Sequence, residues 1–419
     1  MQTGRKICIF MDGTANDHDS QTHIRHLYEL VSGRNQPGII CYYDPGVGAE
    51  VYKGTGAVGG AGFTTNIKQS YAFLTSVYQP KDQIYIFGYS RGARQAQVLS
   101  DVIARCGIPK YLDIKNRSTY EDCYKTTADI VSDYKKQWAT ANRKERKKSQ
   151  QNNFTMNPLN VKPPQFDTTG RFTPNINFLG MWDNVESLAN NVLRQGLVYR
   201  KTRKPVPYQP HKVYPYVISS KVVKSYHAMA LDESRGLYEV IPWIVPTGHQ
   251  GIVERVWFPG THGDVGGSYQ SSEVLAGVSF NWMLSKLDRT GLLPQQGYRV
   301  RASATALSVD SGQFKVAGVF LNKLRLKRVR RPAFWGKFWK HDWQRKPKLH
   351  ISALQRIRAK QVPQKPGDGL DAQNHPYRPN IFFQRKPEEP AQPKVPYIHC
   401  NASAEEITKW LRKNADIVK

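Results

Sequence analysis

A serine lies between two glycines where an apolar, strand-like segment gives way to a helical one. The segment IYIFGYSRGARQAQ covers residues 84–97, and Gly88 and Gly92 flank Ser90 in the form G-x-S-x-G. In a strand-to-helix turn of this kind, residues without side chains let the sheet and the helix approach each other. The serine Oγ then points into the crevice at the carboxyl ends of the strands. The pattern predicts a nucleophilic serine; the alternative is a glycine-flanked turn without chemistry.

A nucleophilic serine needs a histidine as base and a carboxylate that orients the histidine. His262 follows a strand-like segment in the glycine-rich FPGTHGDVGG and is the preferred base. His227 lies in a helical pattern and is expected to be structural. Asp183 ends the apolar segment INFLGMW. It falls between Ser90 and His262, in the order serine, acid, histidine that this chemistry uses in α/β hydrolases.

Other carboxylates and motifs receive lesser roles. Asp264 is too close to His262 along the chain to be its partner and is expected to shape the loop, and Asp232 is a weaker candidate for the acid. The glycine-rich GTGAVG at 54–59 lies in a long loop, not at a strand–helix junction, so dinucleotide binding is not expected. No spacing of His, Cys, Asp and Glu is typical of zinc or iron sites. We therefore expect neither a metal nor a cofactor.

The first strand-like segment ends in MDGTAND, which supplies candidate donors for an oxyanion. We expect the backbone N–H of Arg91, at the start of the helix after Ser90, to be one donor and that of Gly13 or Thr14 to be the other. Asp12 is expected to brace this turn. A D-x-D-G-T phosphatase motif would need its nucleophilic aspartate at position 10, which is Phe10, so that chemistry is excluded.

Strand-like and helical segments alternate through the first 110 or so residues. This alternation predicts an α/β fold with a mostly parallel sheet and helices on both faces. We predict one domain over residues 1–385, with a helical insertion at 111–175 that could act as a lid. Residues 386–419 are predicted as a C-terminal tail with a short helix.

Two later segments are also predicted to be helical. YPYVISSKVVKSYHAMALDE contains His227, and SSEVLAGVSFNWMLSKLDRTGL is amphipathic. In the second of these, Val274, Val278 and Trp282 are expected on the buried face, and Gly291 is expected to end the helix.

The formal net charge of +28 favours anionic partners, and about half of the excess lies after residue 320. The basic aromatic segment, residues 323–348, suits the headgroup–acyl boundary of an anionic bilayer. Alternatively, its aromatics pack on the core, or it binds single-stranded nucleic acid. The candidate membrane- or anion-binding residues in it are Arg330, Arg331, Trp335, Lys337, Trp339, Lys340 and Trp343.

Five scattered cysteines without a C-x-x-C pair predict reduced thiols in a cytoplasm. The N-terminal residues have no cleavage pattern typical of a signal peptide. We therefore expect a cytoplasmic location in the producing cell.

Several ordered motifs carry a family resemblance. MDGTAND, the block from GFTTNIKQ to GYSRGA, FLGMWDNVESL, YHAMALDE and WFPGTHGDVGGSY resemble the DUF2235 α/β-hydrolases, which contain the Tle1-type phospholipase effectors of bacterial type VI secretion. LHISALQRI and PYRPNIF resemble the closing segments, so the likeness spans nearly the whole chain. It implies a serine esterase fold with Ser90, Asp183 and His262 as nucleophile, acid and base. Asn184 replaces the usual threonine and Gly263 a common serine, and neither removes a catalytic group.

The resulting hypothesis is a serine-dependent carboxylic ester hydrolase, specifically a phospholipase A that acts on anionic membrane lipids. One alternative keeps the triad and changes the substrate to a polyester or a small acyl ester. Another is a non-catalytic cationic protein that binds nucleic acid or an acidic partner on a hydrolase scaffold. Because a phospholipase would endanger its own cell, we also expect delivery elsewhere without a signal peptide, or an acidic immunity-type partner.

Overall fold

The structure is a computed structural model, and it describes most of the chain in segments. The described residues are 4–13, 21–33, 36–46, 62–110, 117–151, 160–185, 214–233, 238, 240–241, 243–309, 315–316, 319–320, 348–359, 361–365, 372–377 and 403–419.

Eight strands form one large sheet, in the order β15-β12-β8-β7-β6-β3-β1-β2. Its strands are β1 (Lys6–Met11), β2 (Ile39–Asp44), β3 (Gln83–Tyr89), β6 (Ile176–Trp182), β7 (Lys224–Ala230), β8 (Ile252–Phe258), β12 (Lys348–His350) and β15 (Asp416–Val418). The strand pairs β1–β2, β1–β3, β3–β6, β8–β12 and β12–β15 are all parallel. The predicted mostly parallel sheet is confirmed.

Seven short strands lie outside this sheet: β4 (Ile108–Pro109), β5 (Arg171–Phe172), β9 (Ser308–Val309), β10 (Lys315–Val316), β11 (Val319–Phe320), β13 (Val362–Lys365) and β14 (Gln373–His375). The helices are α1 (His23–Ser32), α2 (Phe63–Val77), α3 (Arg91–Cys106), α4 (Arg117–Gln151), α5 (His262–Gly266), α6 (Glu273–Leu287), α7 (Ile351–Arg358) and α8 (Ala404–Asn414), with a 3₁₀ turn at Gln270–Ser272. Among the described helices, none is both long and apolar enough to cross a membrane.

The chain divides into two compact units, and the first has helices on both faces of its strands. It comprises Met1–Ser20, Ile24–Tyr226 and Ile241–Glu254. On one face, Ile9 joins an apolar cluster with Tyr71 of α2 and Leu99 of α3. On the other face, Phe10 meets Tyr28 of α1 at a ring-centroid distance of 5.6 Å. Successive residues of a strand point to opposite faces, so β1 is buried on both sides.

The second unit is also layered. It comprises Gln21–His23, His227–Val240 and Arg255–Lys419. Trp257 packs in a cluster with Leu354 of α7 and Leu411 of α8. The next residue, Phe258, meets Trp282 of α6 at 5.4 Å on the opposite face. Burial of each such side chain contributes on the order of 2 kcal/mol to folding.

The described part of the predicted insertion packs on the first unit. Val131, Tyr134 and Trp138 of α4 belong to the same apolar cluster as α2 and α3. The Tyr134 hydroxyl also donates to Asp101 Oδ2 of α3 at 2.7 Å. The expected helix is present as α4, and the interpretation of residues 111–175 as an insertion that acts as a lid stays a prediction.

The short C-terminal helix is confirmed as α8, and strand β15 follows it and pairs with β12. These residues therefore contribute a strand to the main sheet as well as a helix. The domain boundary at residue 385 stays a prediction.

The helix predicted around His227 is wrong, because residues Lys224–Ala230 form strand β7. Six consecutive residues of this strand are buried, Ser225 through Ala230. An interior strand covered on both faces shows no alternation of apolar and polar residues, so its sequence can resemble that of a buried helix. His227 is completely buried in this strand, which agrees with the expectation that it is structural.

Candidate active site

Ser90 occupies a strained turn between β3 and α3. Its backbone has φ 58° and ψ −125°, a conformation that residues other than glycine rarely adopt. Its exposed fraction is 5%. Strain of this kind costs on the order of 1–3 kcal/mol and persists only where the surroundings enforce it. The serine predicted at a strand-to-helix turn is therefore found there, in the backbone geometry that such a turn requires.

The two flanking glycines are required by close backbone contacts. A Cβ on Gly88 would lie 2.6 Å from the Ala93 Cα. A Cβ on Gly92 would overlap the carbonyl oxygens of Met11 and Asp12. Both contacts are too short for real carbon atoms, so each position needs a residue without a side chain. The steric argument made from G-x-S-x-G holds at both glycines.

Asp183 lies directly after β6 and is tied to the serine turn through the backbone. The Ser90 N–H donates to the Trp182 carbonyl at 3.0 Å, and the Val185 N–H donates to the Ser90 carbonyl at 3.3 Å. Asp183 is completely buried and has a positive φ of 42°. Two strained residues thus lie on neighbouring strand ends, joined by two hydrogen bonds that fix their backbones.

The residue after Asp183 anchors this strand end. The Asn184 amide donates to Gln97 Oε1 at 3.0 Å and to the Ile241 carbonyl at 2.9 Å, and the Ile241 N–H donates back to the Asn184 carbonyl at 2.7 Å. Asn184 is the residue that departs from the threonine usual in the family. The two N–H donors of its side-chain amide bind one acceptor in α3 and one at residue 241. A threonine hydroxyl has a single proton and could donate to only one of them.

His262 lies in the second unit, at the start of the short helix α5. Thr261 and Asp264 form a capping box: the Thr261 N–H donates to Asp264 Oδ2 at 2.8 Å, and the Thr261 side chain accepts from the Asp264 N–H. The His262 N–H donates to Glu233 Oε2 at 3.2 Å, and the Tyr238 ring lies against the imidazole at 4.8 Å. The loop around His262 is therefore fixed by specific polar contacts.

Glu233 is a buried carboxylate that the sequence analysis missed. Its exposed fraction is 1%, and it binds the backbone of the candidate base. The only signal in the sequence is the acidic pair Asp232–Glu233 at the end of YHAMALDE. Nothing in that pair distinguishes the carboxylate that supports His262 from its neighbour.

Asp264 and Asp232 are both engaged in holding the loop. Asp264 Oδ1 accepts from the Val309 N–H at 3.2 Å, in addition to its capping bonds. Asp232 Oδ2 accepts from the Gly260 N–H at 2.6 Å and from the Tyr377 hydroxyl at 2.8 Å. Burial raises the pKa of both carboxyls, that of Asp232 to about 6. These contacts agree with the expectation that Asp264 shapes the loop, and they give Asp232 a similar part.

The candidate oxyanion donors at the end of β1 lie beside Asp12. The Gly13 N–H donates to Asp12 Oδ1 at 2.6 Å, and the Tyr43 hydroxyl donates to Asp12 Oδ2 at 2.8 Å. Asp12 thus braces the turn as expected, but in this structure it also holds the N–H of Gly13. Arg91 is the first residue of α3, where a backbone N–H has no acceptor within its own helix. Thr14 lies outside the described residues.

Asp44 ends β2 and is a second buried carboxylate near Asp12. It accepts hydrogen bonds from the Asn66 amide and the Ser70 hydroxyl. Burial, opposed by these two hydrogen bonds and assisted by the negative charge of Asp12, raises the pKa of Asp44 to about 7. The parallel register places Asp44 opposite Met11, the last residue of β1, and Asp12 follows Met11 directly.

We expect Asp44→Asn to reduce the pH dependence of stability, to which Asp232, with its pKa raised to about 6, also contributes. The folded protein keeps the proton of Asp44 up to about pH 7, whereas the unfolded chain releases it near its ordinary pKa of 3.8. The folded state therefore binds more protons in this window, and wild-type stability falls as the pH rises from about 4 to about 7. The decrease is at most on the order of 4 kcal/mol.

Urea unfolding at about pH 5 and pH 8 measures this decrease in wild type and variant. Asp167→Asn is the matched control, because the hydrogen bonds of Thr169 lower the pKa of this exposed carboxyl and move its titration below the window. If Asp44→Asn kept the wild-type difference between the two pH values, another group would be responsible.

The predicted membrane- or anion-binding residues all lie outside the described part of the chain. They are Arg330, Arg331, Trp335, Lys337, Trp339, Lys340 and Trp343. The glycine-rich stretch at 54–59 lies outside it as well. Within the described ranges, no group of three or more His, Cys, Asp or Glu side chains is placed to hold a metal ion.

One known family model matches more than half of the chain. The family model "T6SS, Phospholipase effector Tle1-like, catalytic domain" matches residues 5–286, which include Ser90, Asp183 and His262. An uncharacterized protein of Saccharomyces cerevisiae (strain ATCC 204508 / S288c) is 31% identical over 124 residues, which are 25% of this chain and 18% of the yeast protein.

Two solved structures are distant neighbours. The Tle1 effector bound to the VgrG spike of the type 6 secretion system is 15% identical, with a TM-score of 0.35, and the match covers 64% of this chain and 52% of that effector. The esterase Est2 of Thermogutta terrifontis is 14% identical, with a TM-score of 0.32, over 70% of this chain and 86% of the esterase. This chain therefore spans about half the length of the effector and less than a fifth of the yeast protein.

Proposed function

Because the chain belongs to the Tle1-like catalytic-domain family of type VI secretion phospholipase effectors, we propose that it is a serine hydrolase that cleaves the acyl esters of anionic phospholipids. Ser90 is the nucleophile in this proposal, His262 the base and Asp183 the acid. The observation that carries the proposal is the backbone conformation of Ser90. Its φ of 58° is strained for a serine, and the close backbone contacts at Gly88 and Gly92 hold the turn in this conformation.

The proposed reaction has two halves. In the first, Ser90 Oγ attacks the acyl carbonyl carbon while His262 takes the hydroxyl proton, and Asp183 stabilises the resulting imidazolium. Collapse of the tetrahedral intermediate breaks the ester bond, and His262 gives its proton to the departing alcohol. In the second half, a water molecule attacks the acyl-serine in the same way and releases the fatty acid.

The N–H of Arg91 is the first oxyanion donor in this proposal. It lies at the N-terminus of a 16-residue helix, where the helix dipole also favours negative charge. For Gly13 to be the second donor, its N–H must exchange the bond with Asp12 for one with the oxyanion. Thr14 is the alternative second donor.

Asp183 is the preferred acid for a reason that sequence order alone does not give. Asp232 accepts two hydrogen bonds from Gly260 and Tyr377, and Asp264 caps α5 and binds Val309. These hydrogen bonds hold both carboxylates in the loop around His262. Asp183 lies on the strand end that binds the backbone of Ser90, which supports its assignment to the nucleophile's site.

A substrate panel tests the function. We expect fatty acid release from phosphatidylglycerol vesicles to exceed release from phosphatidylcholine vesicles, because a chain of net charge +28 concentrates at an anionic surface. This preference should shrink as salt screens the attraction. Free fatty acid is measured by titration, with short-chain p-nitrophenyl esters as the second substrate class.

The outcomes separate the alternatives. Hydrolysis of short esters without release from either vesicle would favour an esterase with a different substrate. Absence of turnover on every ester, together with salt-dependent binding to nucleic acid, would favour the non-catalytic binding protein. Delivery to another compartment and an acidic immunity-type partner stay predictions.

A further inference from the structure

Two cysteines that are far apart in the sequence are neighbours in the sheet. Strands β1 and β2 pair in parallel, and their register places Cys8 opposite Cys41. Each thiol shifts the pKa of the other, upward for Cys8 and downward for Cys41. Cys106 and Cys123, the other two cysteines within the described residues, lie on separate helices, α3 and α4.

The strand geometry is compatible with a covalent bond between these sulfurs. Neighbouring strands are about 4.7–4.9 Å apart, which lies inside the range of about 4.4–6.8 Å observed between the Cα atoms of a disulfide. Residues opposite each other in register project to the same face of a sheet. The register therefore places both cysteine side chains on one face, next to each other.

The two thiols differ in access and in acidity. Cys8 lies on an interior strand and is completely buried, whereas Cys41 is half-buried on β2, the edge strand. The neighbouring Cys8 thiol lowers the pKa of Cys41, and burial raises that of Cys8. The other titratable groups that act on Cys8 are Lys6 of β1 and Tyr85 of β3. The outer thiol is therefore the one that can ionise and be reached.

We propose that Cys8 and Cys41 are a redox-modification site, a dithiol that closes to an intrachain disulfide when the protein meets a disulfide oxidant. The Cys41 thiolate attacks one sulfur of the oxidant and expels a thiolate, which gives a mixed disulfide. Cys8 then loses its proton and attacks the Cys41 sulfur, and a second thiolate leaves. The two cysteines lose two protons and two electrons, and the oxidant is reduced to two thiols.

The disulfide would link β2 covalently to the interior strand β1. In the unfolded chain it would close a loop over the residues between Cys8 and Cys41, which restricts that state and favours the folded one. This inference is independent of ester hydrolysis, since it rests only on strand register and thiol chemistry.

The test uses the full chain and oxidised glutathione. We expect intact mass to fall by two hydrogen atoms, and a peptide map without reductant to link the peptides of Cys8 and Cys41. We also expect Tm to rise by several degrees, and dithiothreitol to reverse both changes. The Cys8→Ser variant should stop at a glutathione adduct on Cys41, because the resolving thiol is missing. The Cys123→Ser control should still form the bond.

Wild-type protein alone can overturn the proposal. The proposal is wrong if both thiols stay free after treatment with oxidised glutathione. It is also wrong if Cys41 keeps its glutathione adduct and Cys8 does not displace the glutathione. A link from either residue to Cys106, Cys123 or Cys400 would also contradict it. These readouts require no enzymatic turnover, so they succeed or fail separately from the proposed hydrolase.

Discussion

Replacing Ser90 with alanine is expected to lower ester hydrolysis by roughly 10⁴-fold or more, because the attacking oxygen is removed. The fold should be retained, since the hydrogen bonds of residue 90 with Trp182 and Val185 involve only backbone atoms. Fatty acid release from phosphatidylglycerol vesicles gives the rate, and thermal melting followed by circular dichroism reports the fold.

Ser100→Ala is the matched control for this variant. Ser100 lies on the same helix, is completely buried, and donates its hydroxyl only to the Gln97 carbonyl among the contacts described. Its removal should leave the rate within a few-fold of wild type. If the Ser90→Ala protein still hydrolysed phospholipid and melted like wild type, Ser90 would be excluded as the nucleophile.

Replacing Gly92 with alanine is expected to destabilise the protein by more than about 3 kcal/mol and to abolish activity. The added methyl would overlap the carbonyl oxygens of Met11 and Asp12. Neither backbone can move aside easily, because β1 is hydrogen-bonded on both sides, to β2 and to β3. Urea unfolding measures the stability, and vesicle hydrolysis measures the activity.

Gly170→Ala separates this steric overlap from simple loss of glycine. Gly170 has a positive φ of 69° and open space where a Cβ would lie. Alanine there should cost only about 1–2 kcal/mol, from the backbone conformation alone. A Gly92→Ala protein as stable as wild type would show that helix α3 can withdraw from β1, and that the turn at Ser90 is not held rigidly.

The early elements could be predicted because local signals are strong there. Apolar runs such as KICIFM and QIYIFGY are short and contain β-branched or aromatic residues, and a glycine or aspartate lies at or next to the end of each. The turn at Ser90 was predictable for the same reason: its glycines are demanded by contacts within a few residues or with the adjacent strand. Helix α3 begins one residue after the serine, as the motif requires.

Helix α6 illustrates a partial success. Its existence follows from the sequence, and Trp282 is buried as expected, but the helix ends at Leu287 and not at Gly291 as predicted. Val274 and Val278, predicted on the same face, are only half-buried, whereas Leu275, Phe280 and others are buried. The apolar residues surround most of this helix, so periodicity gave no reliable direction for its buried face.

What the sequence could not supply is contact between distant segments. The pairing of Cys8 with Cys41 depends on the register of β1 and β2, and the hydrogen bond from His262 to Glu233 depends on the path of two loops. Neither is encoded by the spacing of the residues concerned. The assignment of Asp183 and His262 to one triad with Ser90 stays a prediction for the same reason.

The two backbone hydrogen bonds between Ser90 and the residues on either side of Asp183 couple the positions of two candidate catalytic residues. They join the carboxyl ends of β3 and β6, which are neighbouring interior strands of the sheet. A displacement of the chain at residues 182–185 would therefore also displace the backbone of Ser90. We expect a substitution that disturbs either strand end to lower the proposed activity through both residues.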